Sequence, residues 1–300
     1  MEGSIMLSIA PIINRLDKYQ RKHKSISFVY AVIKKYGEDN GGYQSALITY
    51  YAMLSLFPLL VVITSLAKLI FNGNSSLRQQ ISHSVTRYIP VIGDQIQYRI
   101  HDPGKTGLIL VVTILITLYG ARGVAGAMQF SLSSVWRVPP AKRPPFIKNL
   151  TRSMGIIAAG GAGLILTSVL SGFSVHVGNY AILKVLSSLL SFIIIWVTLI
   201  YVFKMSIAGN KKFSDLWRGA AVAAIAIEIL QLLGNIILAH QLRSLNTSYG
   251  VFALAIGLMF WIYLQAEVIV YGSEVDAVRH FRLYPRGITE PSPADKTKES

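Results

Sequence analysis

Apolar residues fall into six long runs along the chain, at about 46–71, 107–127, 153–177, 183–203, 219–239 and 251–272. The first, ALITYYAMLSLFPLLVVITSLAKLIF, carries one formal charge, Lys68. At about 1.5 Å per residue it would reach roughly 39 Å, more than the ~30 Å hydrocarbon core of a bilayer. A single run of this kind fits a buried helix of a large soluble protein; six in succession predict membrane spans. The predicted fold is therefore all-α: a polytopic membrane protein with six transmembrane helices. Residues 1–45 form a basic amphipathic arm, 46–272 the membrane domain and 273–300 a charged tail. Past Pro285 that tail has too few apolar residues to fold.

Between the runs the pattern is more varied. In the arm, Ile26, Val29, Ile33 and Tyr36 share one helical face, which predicts a short amphipathic helix. It either lies at the cytoplasmic membrane interface or docks that face on the core. The apolar stretch Ser4–Ile13 has no basic residue before it and does not resemble a cleaved signal. Between the first two spans, Leu77, Ile81, Val85, Ile89, Ile92, Ile96 and Ile100 recur at helical spacing, broken at Pro90 or Gly93. This predicts an extracytoplasmic amphipathic segment, either a lid or a helix resting on the outer leaflet. Pro58 is expected to kink the first span. Thr49, Tyr50, Tyr51 and Ser55, just before it, are candidates to face an internal cavity, and Lys68 can snorkel at the outer end. Gly155, Ala159, Gly163, Thr167 and Ser171 recur every four residues in the third span. Such a stripe lets a neighbouring helix approach closely.

Composition agrees with a membrane protein: 52% of residues are hydrophobic and 14% charged. The net charge of +15, from 29 Lys and Arg against 14 Asp and Glu, would suggest nucleic acid in a soluble protein. Here alternate sides of the six spans receive 21 and 6 basic residues, with Lys68 and Arg122 inside the spans. By the positive-inside rule both termini are cytoplasmic, which predicts a multi-pass inner-membrane protein. The absence of cysteine excludes disulfides, thiolate nucleophiles and cysteine-ligated zinc.

Several landmarks, in order, resemble the YihY/virulence factor BrkB family. They are the segment ALITYYAMLSLFPLL, Trp136-Arg137-Val138, Arg218-Gly219-Ala220, Tyr249-Gly250 and Tyr271-Gly272-Ser273-Glu274. The resemblance covers residues 26–281. It departs at Gln44 and Ser45, where the family usually has small apolar residues. It implies a six-helix bacterial cytoplasmic-membrane protein. The family has been labelled ribonuclease BN, a tRNA-processing activity, and one member is linked to serum resistance.

A ribonuclease needs a metal cluster or a positioned acid and base. The histidines, His23, His83, His101, His176, His240 and His280, are scattered without ligand spacing, and no Asp cluster replaces them. Hydrolysis of RNA is not expected, and neither is a cofactor. Gly104-Lys105-Thr106 lacks the leading glycine and the strand-then-helix flanks of a phosphate loop. Gly160, Gly161 and Gly163 fail dinucleotide spacing and fit helix packing better.

The strongest chemical signal is ionisable groups at membrane depth, which generally face an interior partner or a wet cavity. Glu228, Gln231 and Asn235 share one face of the fifth span, with Glu228 near its middle. Arg122 and Glu267 lie at similar depth and could pair. Tyr50, Tyr51 and Trp261 are further candidates to line such a space. Two readings stay open for the polar stripe: a translocation pathway, or polar contacts that hold helices together. The first implies a transporter- or flippase-like protein for an amphipathic or anionic solute or lipid, and the second a non-catalytic envelope scaffold. The expected partners are membrane lipids, an anionic lipid or amphipathic solute, and a second copy of the chain; nucleic acid is not expected.

Overall fold

A computed structural model describes residues 17–70, 106–176, 181–242 and 250–287. Among them there is no strand. A short helix, α1 (Lys24–Glu38), is followed by six long ones: α2 (Gly41–Ile70), α3 (Thr106–Val135), α4 (Phe146–His176), α5 (Ala181–Ser206), α6 (Phe213–Leu242) and α7 (Gly250–His280). A 3-10 turn, Pro140–Lys142, lies in the loop before α4. Within the described residues, Phe146–Thr167, Val185–Ser206 and Ala255–His280 are long and apolar enough to cross a membrane. The expected amphipathic segment between the first two spans lies outside the described residues, as do the side chains of Pro58 and Lys68. The α2 backbone is helical on both sides of Pro58.

Each long helix packs on its neighbour in sequence, and α7 returns to α2, so the six form a closed ring. Helix α3 also reaches across it to α5 and α7, while α1 docks on α7 and α2.

The helices overrun the apolar runs at the end where α1 docks. Helix α2 begins at Gly41 rather than 46, α3 continues to Val135 rather than 127, and α4 begins at Phe146 rather than 153. Helix α6 begins at Phe213 rather than 219, and α7 continues to His280 rather than 272. Gln44 and Ser45, where the family pattern is broken, are buried inside α2. Residues 273–280, expected in the tail, are the packed last turns of α7. Arg286 of that tail is buried too, its guanidinium donating to both carboxylate oxygens of Glu38 at 2.8 and 2.7 Å.

The core sits in these overrunning turns. Leu132 and Val135 of α3 with Trp136 just after it, Leu199, Val202 and Phe203 of α5, Leu216, Ala220 and Ala223 of α6, and Val270 and Ala277 of α7 form one buried cluster. Farther along, no described side chain of α5 before Leu199 and none of α7 before Ala266 is buried. Lipid tails are as apolar as leucine, so those surfaces need no protein cover. The small-residue stripe of α4 faces α5: a Cβ on Gly163 would stand 2.7 Å from Thr198 Oγ1, and one on Gly155 3.3 Å from the Tyr201 hydroxyl.

The arm forms the expected helix, but the face it docks on the core is not the apolar one read from the sequence. Ser27, Ala31, Val32 and Lys35 are buried, with Ala31 and Val32 against Val278, Tyr271 and Leu283. Ile26, Val29 and Ile33 stand exposed on the opposite side.

Candidate functional site

The docked end is built around a buried lysine. Lys35 and Glu274 are both 0% exposed. The Lys35 ammonium donates to Glu274 Oε2 at 2.7 Å, to the Val135 carbonyl at 2.8 Å, and to Asp39. Three donors meet three acceptors, the condition under which a buried charge is tolerated. The arrangement ties α1 to the ends of both α3 and α7.

Sequence reading counted Lys35 among the topological charges of the arm and missed this role. The available signal was its register, since Ser27, Ala31 and Lys35 repeat every four residues on the face opposite Val29 and Ile33. The adjoining turn continues the network. Tyr36 and Tyr263 each donate to Glu267 Oε1 at 2.8 Å, and Tyr36 stacks on Tyr271 with ring centres 3.9 Å apart. Burial, and then the bond to Glu267, push the Tyr36 phenol above its ordinary pKa.

The quoted family landmarks converge here. Trp136 Nε1 donates to Ser273 Oγ at 3.2 Å, and the Lys211 ammonium lies 4.3 Å over the indole. Burial lowers the Lys211 pKa while Asp215 acts in the opposite sense. The Gly219 amide donates to Asp276 Oδ1 at 2.7 Å, and a Cβ on Gly219 would overlap the Gly272 carbonyl oxygen. In turn, a Cβ on Gly272 would stand 2.8 Å from the Ala223 Cβ. These glycines let α6 and α7 touch backbone to backbone. Tyr249 of the remaining landmark lies outside the described residues.

The residues expected to line a pathway do not form one cluster. Arg122 does not pair with Glu267: its guanidinium lies 4.7 Å over the Phe146 ring, while Glu267 faces the two tyrosine hydroxyls. Tyr50 is 57% exposed. Tyr51 is half-buried, edge-on to Tyr50, and occupies the space beside Gly123. Thr49 and Ser55 turn their hydroxyls onto their own helix, donating to the Ser45 and Ala52 carbonyls at 2.8 and 2.9 Å. Trp261 fills the surface over Gly234 of α6. Gln231 is exposed, and the Asn235 side chain lies outside those described.

Glu228 stands apart. Its Oε1 is buried and has no hydrogen-bond partner among the described residues. Glu274 and Asp276 also have one unbonded oxygen, but in each the other is bonded. Glu228 sits one turn beyond the fully buried Ala224, on a stretch of α6 whose described side chains are half-buried or exposed until Gly234. Among the described residues, no three His, Asp or Glu side chains gather as metal ligands.

A ring of long apolar helices sealed at one end by buried polar contacts defines a polytopic helical membrane protein. The chain belongs to the virulence factor BrkB family, whose model matches residues 32–297. It is 27% identical over 267 residues to a UPF0761 membrane protein of Vibrio vulnificus strain YJ016, covering 86% of this chain and 84% of that one. It is 24% identical over 258 residues to a UPF0761 membrane protein of Alteromonas mediterranea, covering 81% and 84%. A ribonuclease-like protein of Bacillus subtilis, YfkH, is 26% identical over 270 residues, covering 86% and 96%. No solved structure matches.

Proposed function

We propose that this is a transporter- or flippase-like protein of the bacterial inner membrane, moving an amphipathic or anionic solute or lipid. All six long helices span, and the docked end with both termini faces the cytoplasm, as the 21-to-6 distribution of basic residues favours. The single observation that carries the reading is Glu228. A carboxylate that only held helices together would be hydrogen-bonded to them, as Glu274 and Glu267 are. One placed in a membrane helix with a buried oxygen that has no partner among the described residues is costly as structure, and is the kind of group that takes a proton or cation along a path.

In this reading the Lys35 hub is the fixed floor, and the helices beyond Ala224 and Leu199, most of whose described side chains are not buried, supply the space in which a solute moves. Arg122, half-buried on α3, contributes positive charge at the wall. Catalysis is not part of the proposal; the ribonuclease-like name is that of the Bacillus relative.

Reconstitution tests it. Liposomes holding the full chain and a fluorescent phosphatidylglycerol, bleached from outside by dithionite, should lose the inner-leaflet signal in a pH-dependent way. Glu228→Gln should abolish that loss. Equal bleaching by native and variant protein would instead favour the scaffold, and metal-dependent cleavage of tRNA by the purified chain would restore the enzyme.

A further inference from the structure

At the docked end the protein also holds a cleft that neither the Lys35 hub nor Glu228 uses. It opens between the Pro140–Lys142 turn, the start of α4 and the turn after α5, with a volume of roughly 550 Å³. Lys142, Arg143, Lys148, Arg152, Gly209 and Asn210 are on its walls, and no carboxylate is. A deeper recess of about 180 Å³ shares Arg143 and Arg152 and adds the polar side chains of Gln129 and Ser133.

None of the four cations forms an ion pair among the described residues. Arg143 donates through Nη2 to Ser134 Oγ at 3.2 Å and lies 4.9 Å over Phe130, yet its Nε is buried with no acceptor. Among the described residues Arg152 makes one long hydrogen bond, Nη1 to the Ile207 carbonyl at 3.4 Å. Elsewhere this protein completes its buried cations: Lys35 has three acceptors and Arg286 a two-pronged carboxylate. The amides that open α4 face no acidic side chain in its first turn, and free helix N-termini favour anions.

Four clustered positive charges repel one another unless an anion with several acceptor oxygens joins them, and forked guanidinium groups match phosphoryl oxygens in particular. We propose that this cleft binds a phosphate group, with the Arg143 and Arg152 guanidinium groups as its main donors. The phosphate belongs either to an anionic lipid headgroup or to a soluble phosphate compound. The proposal goes beyond the translocation reading and survives its failure, because a scaffold could hold the same group.

Binding to the full chain in maltoside micelles separates the sources. One arm titrates inorganic phosphate and follows thermal stability; the other adds phosphatidylglycerol and counts retained lipid by native mass spectrometry. Arg143→Gln with Arg152→Gln should weaken binding about tenfold, the scale of losing charge-assisted contacts. Arg137→Gln with Lys212→Gln removes equal charge from exposed positions outside the cleft and should change it less than about twofold. Lipid retention that inorganic phosphate does not displace assigns the headgroup, while phosphate binding with the same sensitivity assigns the soluble compound. Equal losses in the two pairs, or no binding of either probe to the native chain, would overturn the proposal. Should the double cleft variant fail to fold, Arg152→Gln alone, which gives up only the 3.4 Å contact, should still weaken binding about threefold.

Discussion

Lys35 and Glu228 are both ionisable groups in a largely apolar protein, but their surroundings differ completely. Around Lys35 every donor is matched and the neighbouring helices meet so closely that α6 and α7 have room only for glycine at Gly219 and Gly272. Around Glu228 the buried Oε1 has no partner among the described residues, and the side chains of the next turn are half-buried or exposed. A charge whose hydrogen bonds are complete fixes a structure in one arrangement. One left incomplete keeps its capacity to bind something else. The same contrast separates the closed hub from the cationic cleft beside it.

The contrast can be tested by mutating each side. The largest effect is expected from Gly219→Val, whose branched side chain has nowhere to go between Gly272 and Asp276. It should destabilise by more than about 4 kcal/mol and leave little folded protein by size exclusion in detergent. Gly160→Ala, where nothing lies within 4 Å, should stay within about 0.5 kcal/mol in the same assay. Next, Lys35→Met strands the Glu274 carboxylate and should cost about 3–5 kcal/mol. Adding Glu274→Leu should recover much of that loss; thermal melts showing additive losses would mean the pair is not a unit. Trp136→Phe keeps the ring but gives up the bond to Ser273, and should cost about 1–2 kcal/mol. The smallest effect is expected from Val29→Ser with Ile33→Ser on the outer face of α1. Stability in detergent should move by less than about 0.5 kcal/mol, while partition of an isolated α1 peptide onto lipid vesicles should fall.

The all-helical fold and the six long apolar runs were legible because hydropathy and length report directly on membrane helices. The Gly155–Gly163 stripe was legible because small residues at fixed spacing have few other uses. The helix ends were not. Helix α3 stops in a Schellman turn whose left-handed residue is Arg137 (φ 52°), with amides 137 and 138 donating to the Ser134 and Ser133 carbonyls. Helix α7 stops the same way at Arg282 (φ 52°). Glycine usually marks that position, so arginine there gave no stop signal, and polarity alone did not show how far the helices run past the apolar residues. The Lys35 hub was hidden for a related reason: two of its three partners lie 100 and 239 residues away, and local pattern cannot see them. Arg122 was expected to pair with Glu267 because the two were placed at similar depth, but depth does not fix the direction in which a side chain points.

The cysteine-free sequence allows the central claim, that Glu228 is reachable from water while the floor beneath it is sealed, to be measured directly. Single variants Glu228→Cys and Ala224→Cys, reconstituted in liposomes, are exposed to a water-soluble thiosulfonate. The account expects rapid modification at 228 and none at 224. Two equally inert thiols would contradict it.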